Sequence, residues 1–286
     1  MKKTKFFLLV LAIVSVLSCQ KRQADNTGRI SSGLQPGEVK IMSFNVRGYT
    51  NETDPRDNWA MRAGAVRDMF FAQKATLIGT QEVSESTEWP YIYGVLSPRG
   101  YAALSSDDPA CSILYLEDEL ELQRTGVFWQ SDTPDRVSEC WDGYERIVRW
   151  AEFAIKSNGA RFFYVDSHLG LTSDSRRKGI TLILKRIKTY NTDNLQVVFN
   201  GDCNTTSSDG IFDELKKTMV NARDAAPVTD NVNTYNAWGN ESKAGVIDHI
   251  WMSNTLQPSI YRTVTDKYDG HKFISDHYPV YTIVKF

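Results

Sequence analysis

A succession of short apolar runs, each closed by a polar residue able to do chemistry, constrains this chain more than any other feature. Asn45, Glu82, His168, Asp202, Asn204, Asp248 and the pair Asp276-His277 all lie at or next to the end of such a run. Strand ends that gather on one rim of a sheet form a cleft, and polar groups placed there converge on one point. Each position also has a plainer local reading. Asn45-Val46-Arg47-Gly48 has the composition of a turn, and Gly201-Asp202-Cys203-Asn204 that of an Asx-stabilised loop. His168 and His277 also read as half-buried, hydrogen-bonded histidines. Their recurrence in order along one chain favours a shared site over chance matches.

The apolar runs read as strands over residues 39–46, 76–79, 112–116, 121–128, 146–155, 161–167, 195–199, 246–252, 259–263 and 278–284. Residues 58–73 read as a helix, with Trp59, Ala63, Val66 and Phe70 on one face. A second helix spans 173–190, capped by Ser173, with Ile180, Ile183, Leu184 and Ile187 as its apolar face. A third is expected around 209–217. Many strands follow one another too closely for a pure βαβ winding, so the class is α/β with largely antiparallel strands.

Two segments lie outside this pattern. Lys2, Lys3 and Lys5 precede an apolar run over 6–17 that is too short to span a bilayer, and the run ends in Val16-Leu17-Ser18-Cys19. Residues 1–18 read as a signal peptide of lipoprotein type and Cys19 as the lipidated residue, although Leu17 is a less usual occupant of such a box. An ordinary secretory signal is the plainer alternative. Either way the chain is expected in the cell envelope, with leaflet and face left open. Residues 19–37 are polar and rich in Gly, Ser and Pro, the composition of a flexible tether. The folded domain then runs from 38 to 286, one domain with no internal repeat. Seven Trp, thirteen Tyr and thirteen Phe in 286 residues exclude a disordered chain. Beyond the leader, 30 Lys and Arg face 35 Asp and Glu, so bulk charge cannot be what grips a polyanion. Cys111, Cys140 and Cys203 form no zinc-type spacing, and no disulfide is expected of an odd set.

Six segments carry a family resemblance. They are Ser43-Phe44-Asn45-Val46-Arg47, Gly79-Thr80-Gln81-Glu82-Val83, Asp166-Ser167-His168-Leu169, Asn200-Gly201-Asp202-Cys203-Asn204, Val246-Ile247-Asp248-His249-Ile250 and Ser275-Asp276-His277-Tyr278-Pro279-Val280. Together they closely resemble the endonuclease/exonuclease/phosphatase superfamily of DNase I-like fold, over about residues 38–286. The segments 128–135, 141–142 and 146–151 look like a bacterial exported branch of it. Cys203 stands where the family usually has Phe or Leu, and Ala75-Thr76 where Pro-Asp is common. The resemblance implies a four-layer α/β sandwich, two mostly antiparallel sheets packed face to face with helices outside.

It also implies a metal-dependent hydrolase of phosphate esters. Glu82 would hold Mg²⁺ (or Mn²⁺), a hard ion that takes one or two carboxylates and keeps most of its waters. Asn45 would hold a water of that ion, and Asp276 would serve the same ion or a second one. Asp202 would orient or deprotonate the attacking water, Asn204 would donate to the phosphate, and His277 would stand beside it as a cation fixed by Asp248. His168 is a second donor, and Arg146 either a substrate anion contact or a surface strand arginine. The implied partner is a phosphate-ester substrate (nucleic acid, nucleotide, sugar phosphate or phospholipid head group), with a membrane reached through the lipid anchor and the chain acting as a monomer. A serine hydrolase lacks its Gly-x-Ser-x-Gly elbow. A catalytically inactive surface-binding lipoprotein of the same fold is the other-class alternative. It would be expected to have lost ligands that this chain retains. The fold and catalytic set do not choose a substrate; loops 132–144 and 234–243 would, with Tyr235 and Trp238 as an aromatic platform or as core packing.

Overall fold

The computed structural model describes residues 28–48, 51–104 and 110–286. The leader over 1–18, Cys19 and the first part of the tether lie outside the described residues. The remainder of the tether runs along the domain. Arg29 pairs with Glu117 and Asp118, and Ser32 donates to Glu119.

In chain order the elements are β1 (Glu38–Asn45), α1 (Trp59–Gln73), β2 (Leu77–Gln81), α2 (Glu88–Leu96), β3 (Tyr101–Leu104), β4 (Cys111–Leu116), β5 (Leu120–Trp129), β6 (Ile147–Ile155), β7 (Arg161–His168), α3 (Ser173–Tyr190), β8 (Gln196–Asp202), β9 (Met219–Asn221), α4 (Ala222–Ala225), β10 (Asp248–Ser253), β11 (Pro258–Thr263) and β12 (Val280–Lys285). One six-stranded sheet has the order β11-β12-β1-β2-β4-β3 and the other β5-β6-β7-β8-β10-β9. All pairings are antiparallel except β1 with β2 and β7 with β8. Among the described residues, no helix is long and apolar enough to cross a membrane.

The period-2 alternation of each strand explains both the layering and the site. On β1, Met42 and Phe44 face outward and pack with Val66, Met69 and Phe70 of α1 and Ile92 of α2. On the other sheet, Phe163, Val165, Val197 and Phe199 face outward against Ile180 and Ile183 of α3. Between the sheets, Val39, Ile41 and Leu77 meet Phe162, Tyr164, Val198 and Met252. Three cores separate four layers, and each buried large side chain contributes roughly 1.5–3 kcal/mol relative to exposure. The inner faces change character along their length. β1 reads Val39, Ile41, Ser43, Asn45; β7 reads Phe162, Tyr164, Asp166, His168; β8 reads Val198, Asn200, Asp202. The layer between the sheets is therefore apolar at one end and polar at the other.

Several expectations are corrected. Residues 209–217 form two 3-10 turns, Gly210–Phe212 and Leu215–Lys217, in place of a helix. Asp209 caps Ile211 N, and the buried Phe212 and Leu215 stand three apart, the period of the tighter turn. Thr172, not Ser173, caps α3, in a reciprocal capping box with Ser175. α2, β3, β9 and α4 had no sequence counterpart. Pro90 and Gly94 mask α2, yet Pro90 lies in its first turn, where proline is tolerated, and Glu88 accepts from Ser84 N at 3.0 Å. Cys111, Cys140 and Cys203 are buried thiols outside any disulfide.

Candidate active site

The polar ends of the inner strand faces meet on one rim. Asn45, His168 and Asp202 close β1, β7 and β8, Asp248 opens β10, Glu82 follows β2, and Asp276-His277 precede β12. Asp202 is the hub. Its Oδ2 accepts from Asn45 Nδ2 at 3.0 Å and lies 3.3 Å from His168 Nε2 and 3.6 Å from His277 Nε2. Its Oδ1 accepts from Asn204 N at 2.8 Å, with Asn204 in the left-handed region at φ 52°. Burial alone would raise this carboxyl. The two imidazoles and the bonds from Asn204 N–H and Asn45 reverse that and hold it below its ordinary value.

Asp248 Oδ2 and His277 Nδ1 stand 2.9 Å apart, both buried. Burial works against a charged imidazole here, but Asp248, Asp202 and Asp276 together push His277 up to about 10. It is an imidazolium at neutral pH, with Nε2 turned to Asp202. His168 goes the other way. Burial and the Arg146 charge outweigh Asp202 and Glu82, and its pKa falls below the ordinary value. Asn204 Nδ2 stands 3.0 Å from His168 Nε2 and donates to Leu169 O. The buried Nε of Arg146 has no hydrogen-bond partner among the described residues, and its guanidinium packs over Tyr144 at 5.3 Å.

Glu82 lies at the mouth, its side chain 29% exposed, with Oε1 accepting from Asn45 Nδ2 at 3.0 Å. Asp276 is buried, and that burial raises its carboxyl despite His277 and Arg47 nearby. Donor atoms of Glu82, His168 and Asp202 lie within 4.8 Å of one another, as do those of Asp202, Asp248 and His277. Asp276 belongs to neither group. Its Oδ2 is instead 3.7 Å from Arg47 Nε, and Arg47 Nη1 is 3.9 Å from Glu82 Oε2. Carboxylates thus outnumber cations, and among the described residues Glu82 Oε2 at the opening has no hydrogen-bond donor. That donor set fits a hard divalent cation.

Sequence reasoning missed three contributors. Arg47, two residues after Asn45, donates to Glu52 at 2.7 Å and bridges toward Glu82 and Asp276. Thr234 Oγ1 accepts from both Ile247 N and Asp248 N, fixing the start of β10. Arg62, buried in α1, donates to the carbonyls of Val46, Arg47 and Ile274 and so ties the helix to the β1 and β12 sides of the rim. Arg47 alone left a trace, as a charge two residues after the strand-end Asn45.

Beneath the rim lies a buried polar floor. Asp166 Oδ1 accepts from Gln81 Nε2 at 2.7 Å and Asn200 Nδ2 at 3.1 Å, which links the two sheets. Burial holds this carboxyl well above its usual range. Gly79 leaves it room, since a Cβ there would stand 2.4 Å from Asp166 Oδ1. Gly201, at φ 147°, admits Ser167 O, which a Cβ would meet at 1.7 Å.

Comparison with known proteins places this geometry. The Endonuclease/Exonuclease/phosphatase family profile matches residues 42–277. No curated protein matches the sequence. Among solved structures, a family protein from Bacteroides thetaiotaomicron is similar at 24% identity and TM-score 0.77, over 88% of this chain and 99% of that one. A mannosyl-6-phosphatase from the same organism is similar at 24% identity and TM-score 0.76, over 87% and 100%. D. rerio TDP2, complexed with a single-strand DNA product, is similar at 18% identity and TM-score 0.68, over 87% and 99%. The fold and the matched span together establish that this chain belongs to the endonuclease/exonuclease/phosphatase family.

Proposed function

We propose that the chain is a divalent-metal-dependent hydrolase of phosphate esters that acts as a monomer. The observation that carries this reading is the surroundings of Asp202. One carboxylate is set between two imidazoles, and Glu82 stands beside it at the mouth. A divalent cation, when bound, polarises the phosphoryl group and neutralises developing charge; Glu82 would hold it, with Asp276 and Asn45 close by.

The chain's own residues do the rest. Asp202, kept ionised, accepts the proton of the attacking water and orients it. His277, kept cationic by Asp248, donates from Nε2 to a phosphoryl oxygen as negative charge builds there. Asn204 Nδ2 and the His168 ring, 3.0 Å apart, donate to the remaining oxygens. Arg146 supplies a further anion contact, which its unpartnered buried Nε supports.

Magnesium is the ion this donor chemistry favours, with manganese as a substitute. Calorimetric titration of Mg²⁺ into chelator-stripped protein tests the assignment. Wild type should bind, and Glu82→Gln should lose at least tenfold in affinity while keeping its melting temperature; equal binding by both would remove Glu82 from the role.

We further propose that the protein is an exported lipoprotein anchored through Cys19, as the basic, apolar and Ser18-Cys19 order of its leader supports. Cys19→Ser should move it from the membrane to the soluble fraction, since one lipid group is the anchor proposed. Continued membrane association of that variant would refute the lipidation.

A further inference from the structure

Trp238 occupies backbone that side chains adopt at a cost. It sits at φ 55°, ψ 31°, directly after Ala237 at φ 49°. Left-handed conformations of this kind are strained for a residue with a side chain and persist where surrounding structure enforces them, often at binding sites. Here the enforcement comes from the site itself. Asn236 N and Ala237 N donate to Asp276 O at 2.7 and 3.1 Å, Asn236 Nδ2 donates to Ser275 O at 3.0 Å, and Asn236 Oδ1 accepts from Trp238 N at 2.9 Å. The indole ring is thus fixed to the segment that carries Asp276 and His277, with the buried Arg62 guanidinium 5.8 Å from its centre.

Trp238 lines two adjoining cavities, of about 470 and 570 Å³, which share Asp54 and Asp57. The first reaches Glu52, whose carboxylate holds Arg47 at 2.7 Å, and Arg47 in turn stands 3.9 Å from Glu82. These contacts set the groove beside the rim on the Glu82 side. Its charge is selective. Glu52, Asp54, Asp57 and Asp269 line it against Arg56 and Lys272, and Arg56 is already forked onto Asp54. Such a lining repels a polyphosphate strand. It suits a neutral ring with one C–H face and several hydroxyls, since an indole takes the apolar face and carboxylates accept from the hydroxyls.

We infer that this groove receives the alcohol side of the ester, and that this alcohol is a sugar ring. The inference rests on the hydrolase reading for its phosphate end and adds the substrate class. The test compares a hexose 6-phosphate with methyl phosphate, which offers a similar alkoxide leaving group and no ring, and with a dinucleotide, for wild type, Trp238→Ala and Trp238→Phe. Trp238→Ala should lose about tenfold in kcat/KM on the hexose phosphate, through KM, and leave methyl phosphate unchanged; Trp238→Phe should recover most of the loss. An equal fall on both monoesters would make Trp238 merely structural and overturn the subsite. So would no fall on either, or preferred cleavage of the dinucleotide.

Calorimetry with hexose 6-phosphate and inorganic phosphate separates the two readings. If wild type hydrolyses no probe, the hydrolase reading fails. The subsite then stands if the hexose phosphate binds more tightly than phosphate in a Trp238-dependent way, and falls if the two bind equally.

Discussion

Replacing Asp248 by Asn removes one charge from the site and almost no volume. In the native protein the Asp248 carboxylate lies 2.9 Å from His277 Nδ1, with both groups buried. Moving an imidazole from 6.5 to about 10 corresponds to roughly 5 kcal/mol of preference for the cation. Asp248 leads the groups that raise it, ahead of Asp202 and Asp276. In Asp248→Asn the new amide oxygen still accepts from Nδ1, which keeps ring position and tautomer, but the imidazolium loses its nearest counter-charge. If His277 donates to the phosphoryl group as a cation, kcat should fall by about 2–4 kcal/mol, roughly 30- to 1000-fold. KM should change little, and the alkaline limb of the rate profile should move to lower pH. Steady-state kinetics and thermal melting on the same preparation decide the matter. An unchanged kcat with a lowered melting temperature would show that the pair serves folding alone.

The same pair makes stability depend on pH. The folded-state pKa of His277 is raised, so its contribution is full below about pH 6.5 and is lost as pH rises toward about 10. Urea denaturation in chelator at a series of pH values should show stability declining by a few kcal/mol across that window, and Asp248→Asn should flatten the decline; a flat wild-type profile would contradict the imidazolium.

Much of this site is legible in the sequence because strand geometry converts a local pattern into a place. An inner face reading Val39, Ile41, Ser43, Asn45 announces both the core and the end where the core stops. The same holds for β7, β8 and β10, so the residues that meet at Asp202 could be named without coordinates. What escaped obeys other rules. Arg47 acts through a left-handed turn at φ 61° that brings its guanidinium back toward Glu82 and Asp276. No periodicity records such a turn. Thr234 is placed by loop hydrogen bonds to the start of β10, contacts set by tertiary register and not by neighbours in sequence. The short edge strands β3 and β9 depend on the partner they pair with, so propensity alone did not mark them. The two 3-10 turns after Asp209 show the reverse failure. A helix-like composition was overridden by a capping aspartate and a three-residue burial spacing.

The central claim is that Asp202 and a bound divalent cation act together to hydrolyse a phosphate ester. Its most direct test is phosphate or alcohol release from a panel of monoesters and diesters by chelator-stripped protein, before and after Mg²⁺ is added. Hydrolysis of at least one ester should be absent in chelator, return with Mg²⁺ or Mn²⁺, and fall at least 100-fold in folded Asp202→Asn. Hydrolysis that persists in chelator, or that proceeds equally well in Asp202→Asn, would contradict it.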